Sequence, residues 1–187
     1  MKAVLRIVLA STAMLGVCFG SAFAQTATDE LRVETRGNWN AVVVASPPIS
    51  IYDDALAPGW NNWSWAEVEI GATISDPEER PISVRAQGWQ ALYLQHAAFS
   101  TTGYSELTFF IHGGAAGGQT ISVIAVDARG EPIDRFFRVV PEANAWTEVH
   151  VPLSEIGASD TSITGFFIQN GTPEPTRRFL VNEIALR

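Results

Sequence analysis

The side chains of this sequence that could do chemistry lie in short runs of alternating character. Trp60-Asn61-Asn62-Trp63-Ser64-Trp65 places three indoles within six positions, directly after Pro58-Gly59. In Gln90-Ala91-Leu92-Tyr93-Leu94-Gln95, Leu92 and Leu94 share one side of an extended chain, so Tyr93 and Gln95, with Trp89 in phase, fall on the other. Leu107, Phe109 and Ile111 likewise point one way, and Thr108, Phe110 and His112 the opposite way. Val149 and Val151 alternate with Glu148 and His150, and Phe166 and Ile168 with Phe167 and Gln169. The outward set therefore mixes flat rings with amide, imidazole and carboxylate groups, where a solvated sheet face normally carries charges and threonines.

Flat rings stack on apolar C–H surfaces, and amides and imidazoles bond hydroxyls, so this mixture suits a sugar. The expected contacts are Trp89, Tyr93 and Phe110 for stacking, with Gln95, His112, Glu148 and Gln169 on the hydroxyl rim. In the tryptophan cluster at least one indole should pack the end of the domain, because large aromatics are rarely left bare; Trp65 is the one expected to reach the ligand. The competing reading is that loops or the N-terminal segment cover these rings as a second small core, since alternation gives sidedness and not exposure.

The elements that must position these residues are strands. Beyond Pro48 the chain runs in short β-prone stretches separated by turn residues, and no stretch holds a 3.6-residue apolar period for three turns. Strands are expected at 49–54, 67–74, 82–86, 90–95, 106–112, 120–127, 133–139, 147–153, 163–169 and 178–186. Ten strands with turns at this spacing predict an all-β, two-sheet antiparallel sandwich.

The first residues address the compartment. Lys2 and Arg6 precede an apolar run from Ile7 to Phe19, and Ala22-Phe23-Ala24 offers a small-x-small cleavage pattern, so residues 1–24 read as a secretory signal peptide and the mature chain as secreted, extracellular or periplasmic. Leu15-Gly16-Val17-Cys18 offers a lipidation alternative, with the bulky Val17 against it. The run is too short for a membrane span, which takes about 20 residues. Residues 25–48 read as a leader or linker, with an edge strand or a tail around Val42–Val44, and residues 49–187 as one domain. Cys18, the single cysteine, leaves with the signal, which excludes disulfides, cysteine-based zinc sites and a cysteine nucleophile from the mature chain.

Removing Lys2 and Arg6 leaves ten cations, all arginine, against 20 acids, a net charge of −10. Nucleic acid and anionic lipid need a basic surface, so neither is an expected partner. Catalysis has little support. A glycosidase needs two facing carboxylates about 5 to 9.5 Å apart, but no strand carries the spaced acids that would set them on one sheet face, and Glu148 is the lone acid of the outward set. His96, His112 and His150 are scattered, Gly113–Gly118 lacks the lysine and helix of a phosphate loop, and no G-x-S-x-G occurs. Asn62-Trp63-Ser64 and Asn170-Gly171-Thr172 match the N-glycosylation pattern.

Tyr52-Asp53-Asp54-Ala55-Leu56-Ala57-Pro58-Gly59-Trp60, Trp63-Ser64-Trp65, Leu107 through Gly114, Trp146 through Leu153, Ile163-Thr164-Gly165-Phe166 and the closing Phe179 to Leu186 together resemble the jelly-roll carbohydrate-binding modules of secreted bacterial proteins, which are galactose-binding-like β-sandwiches. The likeness spans residues 49–187. It implies a jelly roll, a glycan groove on one sheet, a polysaccharide partner and often a structural calcium. Where such modules often end in paired aspartates, this chain has Asn182-Glu183. Asp53, Asp54, Glu69, Asn182 and Glu183 could supply calcium with oxygens if the first and last strands are neighbours. A structural or adhesive envelope sandwich with a protein partner, and a small polysaccharide hydrolase or lyase, are the alternative readings.

Overall fold

The computed structural model describes residues 32–36, 39–43, 46–74 and 78–187. The chain divides into two compact units, one up to Val42 and one from Val43 to Arg187. β1 (Arg32–Arg36) and β2 (Trp39–Val43), which ends at this division, form a two-stranded sheet. Residues 1–24, expected from the sequence to be a signal peptide, lie outside the described residues. Among those residues no helix is long and apolar enough to cross a membrane.

The second unit is an all-β sandwich of two antiparallel sheets. Its strands are β3 (Ile49–Asp53), β4 (Ala55–Leu56), β5 (Asn61–Asn62), β6 (Glu67–Glu69), β7 (Ile82–Arg85), β8 (Ala91–Ser100), β9 (Glu106–His112), β10 (Ile121–Asp127), β11 (Phe137–Val139), β12 (Trp146–Pro152), β13 (Ser162–Asn170) and β14 (Phe179–Leu186). One sheet has the order β11-β10-β13-β8-β5; the other runs β12-β9-β14-β3-β4, with β6 and β7 joined to it through β14. The inward sets foreseen from alternation, including Leu92, Leu94, Leu107, Phe109, Ile111, Val149, Val151, Phe166 and Ile168, all enter one buried cluster between the sheets.

Boundaries move where a local rule loses to pairing or a turn. β8 runs on to Ser100 through the polar Gln95-His96 because β13 pairs with it as far as Ser162 opposite Ser100. The strand expected over 67–74 ends at Glu69, where Gly71 takes φ +69°. The one expected over 133–139 is regular only from Phe137; Arg135 N–H turns back to the Ile133 carbonyl, and Pro132 lacks a ladder donor.

Tyr52 ties β3 to the β6–β7 region. Its buried hydroxyl donates to the Arg80 carbonyl and accepts from Gly71 N–H at 3.0 Å. Burial pushes its phenol above the ordinary value of 10, opposed by the Gly71 hydrogen bond and reinforced by the Asp54 and Asp53 charges. The unfolded chain therefore loses this proton first, and stability falls as pH rises through 10 toward the higher folded-state value. Tyr52→Phe should flatten that alkaline slope in urea titrations at pH 9 to 11, at the cost of two hydrogen bonds; an unchanged slope would remove Tyr52 as its source.

Candidate functional site

The tryptophan cluster is split by the turn that introduces it. Trp60 N–H bonds the Ala57 carbonyl at 3.1 Å across Pro58-Gly59, with Gly59 at φ +87°, which is the proline-glycine requirement of a type II turn. That turn sends Trp60 into the core, edge-on to Phe99 at 5.6 Å. The chain then runs antiparallel to β8: Asn61 lies opposite Gln95, Trp63 N–H bonds the Tyr93 carbonyl at 2.9 Å, and Trp65 N–H bonds that of Ala91 at 3.2 Å. Ser64 Oγ fastens the segment by accepting Tyr93 N–H at 3.0 Å. Alternation then puts Asn61, Trp63 and Trp65 on the outer face of the five-stranded sheet, with Gln95, Tyr93 and Ala91.

Tyr93 is paired with Phe167 in register. Their rings meet edge to face at 4.6 Å, Trp63 meets Tyr93 at 6.0 Å and Trp65 meets Phe167 at 4.9 Å, with interplanar angles of 85° to 87°. Four rings thus form a continuous series, Trp63–Tyr93–Phe167–Trp65, each contact in the favoured T geometry. Exposure separates their roles: Trp63 is 61% and Trp65 42% exposed, whereas Tyr93 retains 9%. Tyr93 is therefore a support beneath the indoles rather than a stacking surface, contrary to the expectation from alternation.

Trp89 stands at the rim, 54% exposed, with its backbone at φ +62°. Its carbonyl accepts from Trp65 Nε1 at 3.3 Å and from Gln169 Nε2 at 2.8 Å. A single backbone oxygen thus fixes the second indole and the central amide together. Gln95 is engaged as well, donating to the His96 carbonyl at 2.7 Å and accepting from Asn61 at 3.4 Å.

Phe110, His112 and Glu148 do not belong to this face. β9 and β12 are in the other sheet, so these residues project from the opposite side of the sandwich, where Phe110 lies opposite both Glu148 and Asn182. His112 packs on Trp146 at 5.3 Å and accepts Gly114 N–H at 3.0 Å; His150 sits between Glu106 (3.2 Å) and Glu148 (3.5 Å). Alternation tells which side of a strand faces the core, but in a sandwich two strands that share a core can show their outer sides in opposite directions. Sequence reasoning also passed over Trp63 and Phe167 as contacts, although the Asn61, Trp63, Trp65 spacing carried the signal for the first.

The five calcium candidates do not form one coordination sphere. Asp54 and Asn182 touch, Asn182 Nδ2 reaching Asp54 Oδ1 at 3.5 Å, but that oxygen also accepts Arg80 N–H at 2.8 Å. Asp53 and Glu183 line a shallow pocket of about 190 Å³, and Glu69 is exposed on β6. Among the described residues no three His, Cys, Asp or Glu side chains cluster closely enough to hold a metal. Calcium wants six to eight oxygens, so these residues do not fit it. Neither added calcium nor chelator should shift the melting temperature; a rise with calcium would show that these donors gather around an ion.

The fold and register are those of a two-sheet, antiparallel jelly-roll sandwich. No family model matches the chain. An endoglucanase of Dictyostelium discoideum is 25% identical over 138 residues, covering 65% of this chain and 18% of that protein, so the chain spans less than a fifth of its length. Among solved structures, family 29 carbohydrate-binding modules share the fold. One variant aligns with a TM-score of 0.57 at 12% identity over 76% of this chain and 92% of its own. A variant bound to mannohexaose and another bound to cellulohexaose each align with a TM-score of 0.57 at 13% identity, over 75% of this chain and 90% and 89% of theirs.

Proposed function

We propose that this protein is an exported, non-catalytic polysaccharide-binding module whose ligand lies across the outer face of the five-stranded sheet. The observation that carries the reading is the convergence of bare rings. Of the five large apolar side chains exposed among the described residues, Trp63 and Trp65 lie on this face, Phe136 and Val140 extend its β11 edge by alternation, and Trp89 stands at its rim. Leaving such rings in water is unfavourable unless something covers them. Amides interleave with them, at Asn61 and Gln169, which suits a hydroxyl-rimmed ligand better than an apolar protein surface.

The same face supports a non-catalytic reading. No Asp or Glu projects outward from β5, β8, β10, β11 or β13 among the described residues, so the ring series is not flanked by the acid and base that glycoside hydrolysis requires. The mannohexaose and cellulohexaose complexes of structurally similar modules, and the endoglucanase relative, support a polysaccharide as the ligand class. The basic-apolar-small start of the sequence supports export. A glycan array with the purified protein, followed by affinity electrophoresis on soluble polysaccharides, tests the reading: retardation by at least one polysaccharide without release of sugar is expected. Capture of a protein partner through Trp63 and Trp65, with no glycan retained, would replace it with the adhesive alternative.

A further inference from the structure

Formal charge avoids the outer face of the five-stranded sheet, with one exception. Along one row across the strands, Arg138 on β11 lies opposite Ser122, Ser122 opposite Gln169, and Gln169 opposite Ala91, whose carbonyl bonds Trp65 N–H. Neighbouring strands are about 4.8 Å apart, so this row carries an indole at one end, an amide in the middle and a guanidinium at the other end, over roughly 19 Å. Arg138 is the one Arg, Asp or Glu at the outward positions of these strands among the described residues, and its side chain makes no ion pair or hydrogen bond with any of them.

Its guanidinium is nonetheless placed. The Cζ atom stands 5.9 Å from the centroid of the Phe136 ring, two positions earlier on the same side of the strand. A cation resting on a ring keeps its N–H fork free for a planar anion. Asp127, the acid at the end of the adjoining β10, is committed elsewhere, accepting from Arg129 Nε at 2.9 Å and lying 2.8 Å from its terminal nitrogen. The chain as a whole carries a net charge of −8 and repels anions. An unpaired arginine at one end of a neutral, ring-lined face is the place where an anionic group on the ligand would be accepted.

We propose that the ligand is an acidic polysaccharide, and that Arg138 binds the carboxylate of a uronic-acid unit while Trp63 and Trp65 stack on sugar rings further along the face. This rests on the glycan-binding reading above and narrows it. A carboxylate matches the guanidinium fork in a paired, charge-assisted arrangement. A neutral chain would leave the fork to water.

The test is affinity electrophoresis of the intact protein on uronate-bearing polysaccharides and on the same polymers after carboxyl reduction, comparing wild type with Arg138→Gln. Reduction should weaken wild-type binding about tenfold, the size expected for one charge-assisted hydrogen-bonded contact. Arg138→Gln should lose the same factor on the acidic polymer and nothing on the reduced one, and high salt should erase the difference. Equal binding of both polymers, or an Arg138→Gln protein that still prefers the acidic one, would overturn the assignment while leaving the glycan face intact. A preference for sulfated over uronate polymers would overturn the carboxylate in favour of sulfate. Failure of every polysaccharide to retard folded wild type would overturn both this proposal and the reading it rests on.

Discussion

Alanine at both Trp63 and Trp65 should strip the proposed polysaccharide binding of most of its strength while leaving the sandwich folded. The two indoles are the exposed members of the ring series, at 61% and 42%, and each offers a sugar an uncovered flat face. A stacked aromatic contributes about 0.5–1.5 kcal/mol beyond the area it buries. With the burial term, each single substitution should weaken binding roughly tenfold and the pair about a hundredfold, if the two add. Stability should change little, because both rings already face water in the free protein. Tyr93→Ala is the informative contrast: that ring is buried beneath Trp63 and against Phe167, so its loss lowers the melting temperature and weakens binding together. Retention of full affinity by the double tryptophan variant, measured by retardation in polysaccharide gels, would remove this face as the site.

What could be read from the sequence followed from local rules. Period-two alternation in Leu107–His112 and Phe166–Gln169 located the buried side of each strand, because the pleat forces it. Pro58-Gly59 marked the turn that buries Trp60. What could not be read was set by contacts distant in sequence. β8 and β13 are neighbours although some 60 residues separate them, and β9 pairs with β12 and β14 in the other sheet. Tyr93 and Phe110 each stand opposite a core layer on their own strand, so both read as outward, yet they point away from each other through the whole sandwich. Arg138 was equally invisible: in the sequence it is one of ten arginines downstream of residue 24, and only the register from β11 through β10 and β13 puts it in line with Gln169 and Trp65.

That register depends on Gly165, and Gly165→Ala should be the most destabilising substitution near the site. Gly165 lies opposite Gln95 where the β8–β13 ladder shifts after Ile163, with φ at +152°. A Cβ there would stand 2.1 Å from the Leu94 carbonyl oxygen and 3.1 Å from Cε2 of Tyr93. The first of these atoms is backbone in the central ladder and cannot swing aside, so β8 and β13 must separate where the Tyr93 ring is seated. A clash of this kind belongs with the rare substitutions costing about 4 kcal/mol or more, on the order of 10–15 °C in melting temperature for a unit of this size. Gly130→Ala supplies the control: its φ is +86° but nothing lies within 4 Å of the added carbon, so it should lose only the left-handed backbone preference, about 1–2 kcal/mol. The difference between the two variants isolates the steric part. Glycan affinity of Gly165→Ala, measured below its melting point, should also fall, because the ring that supports Trp63 has lost its seat. Equal melting temperatures for the two variants would show that β8 and β13 are not packed this closely, and the ring series built on their register would lose its foundation.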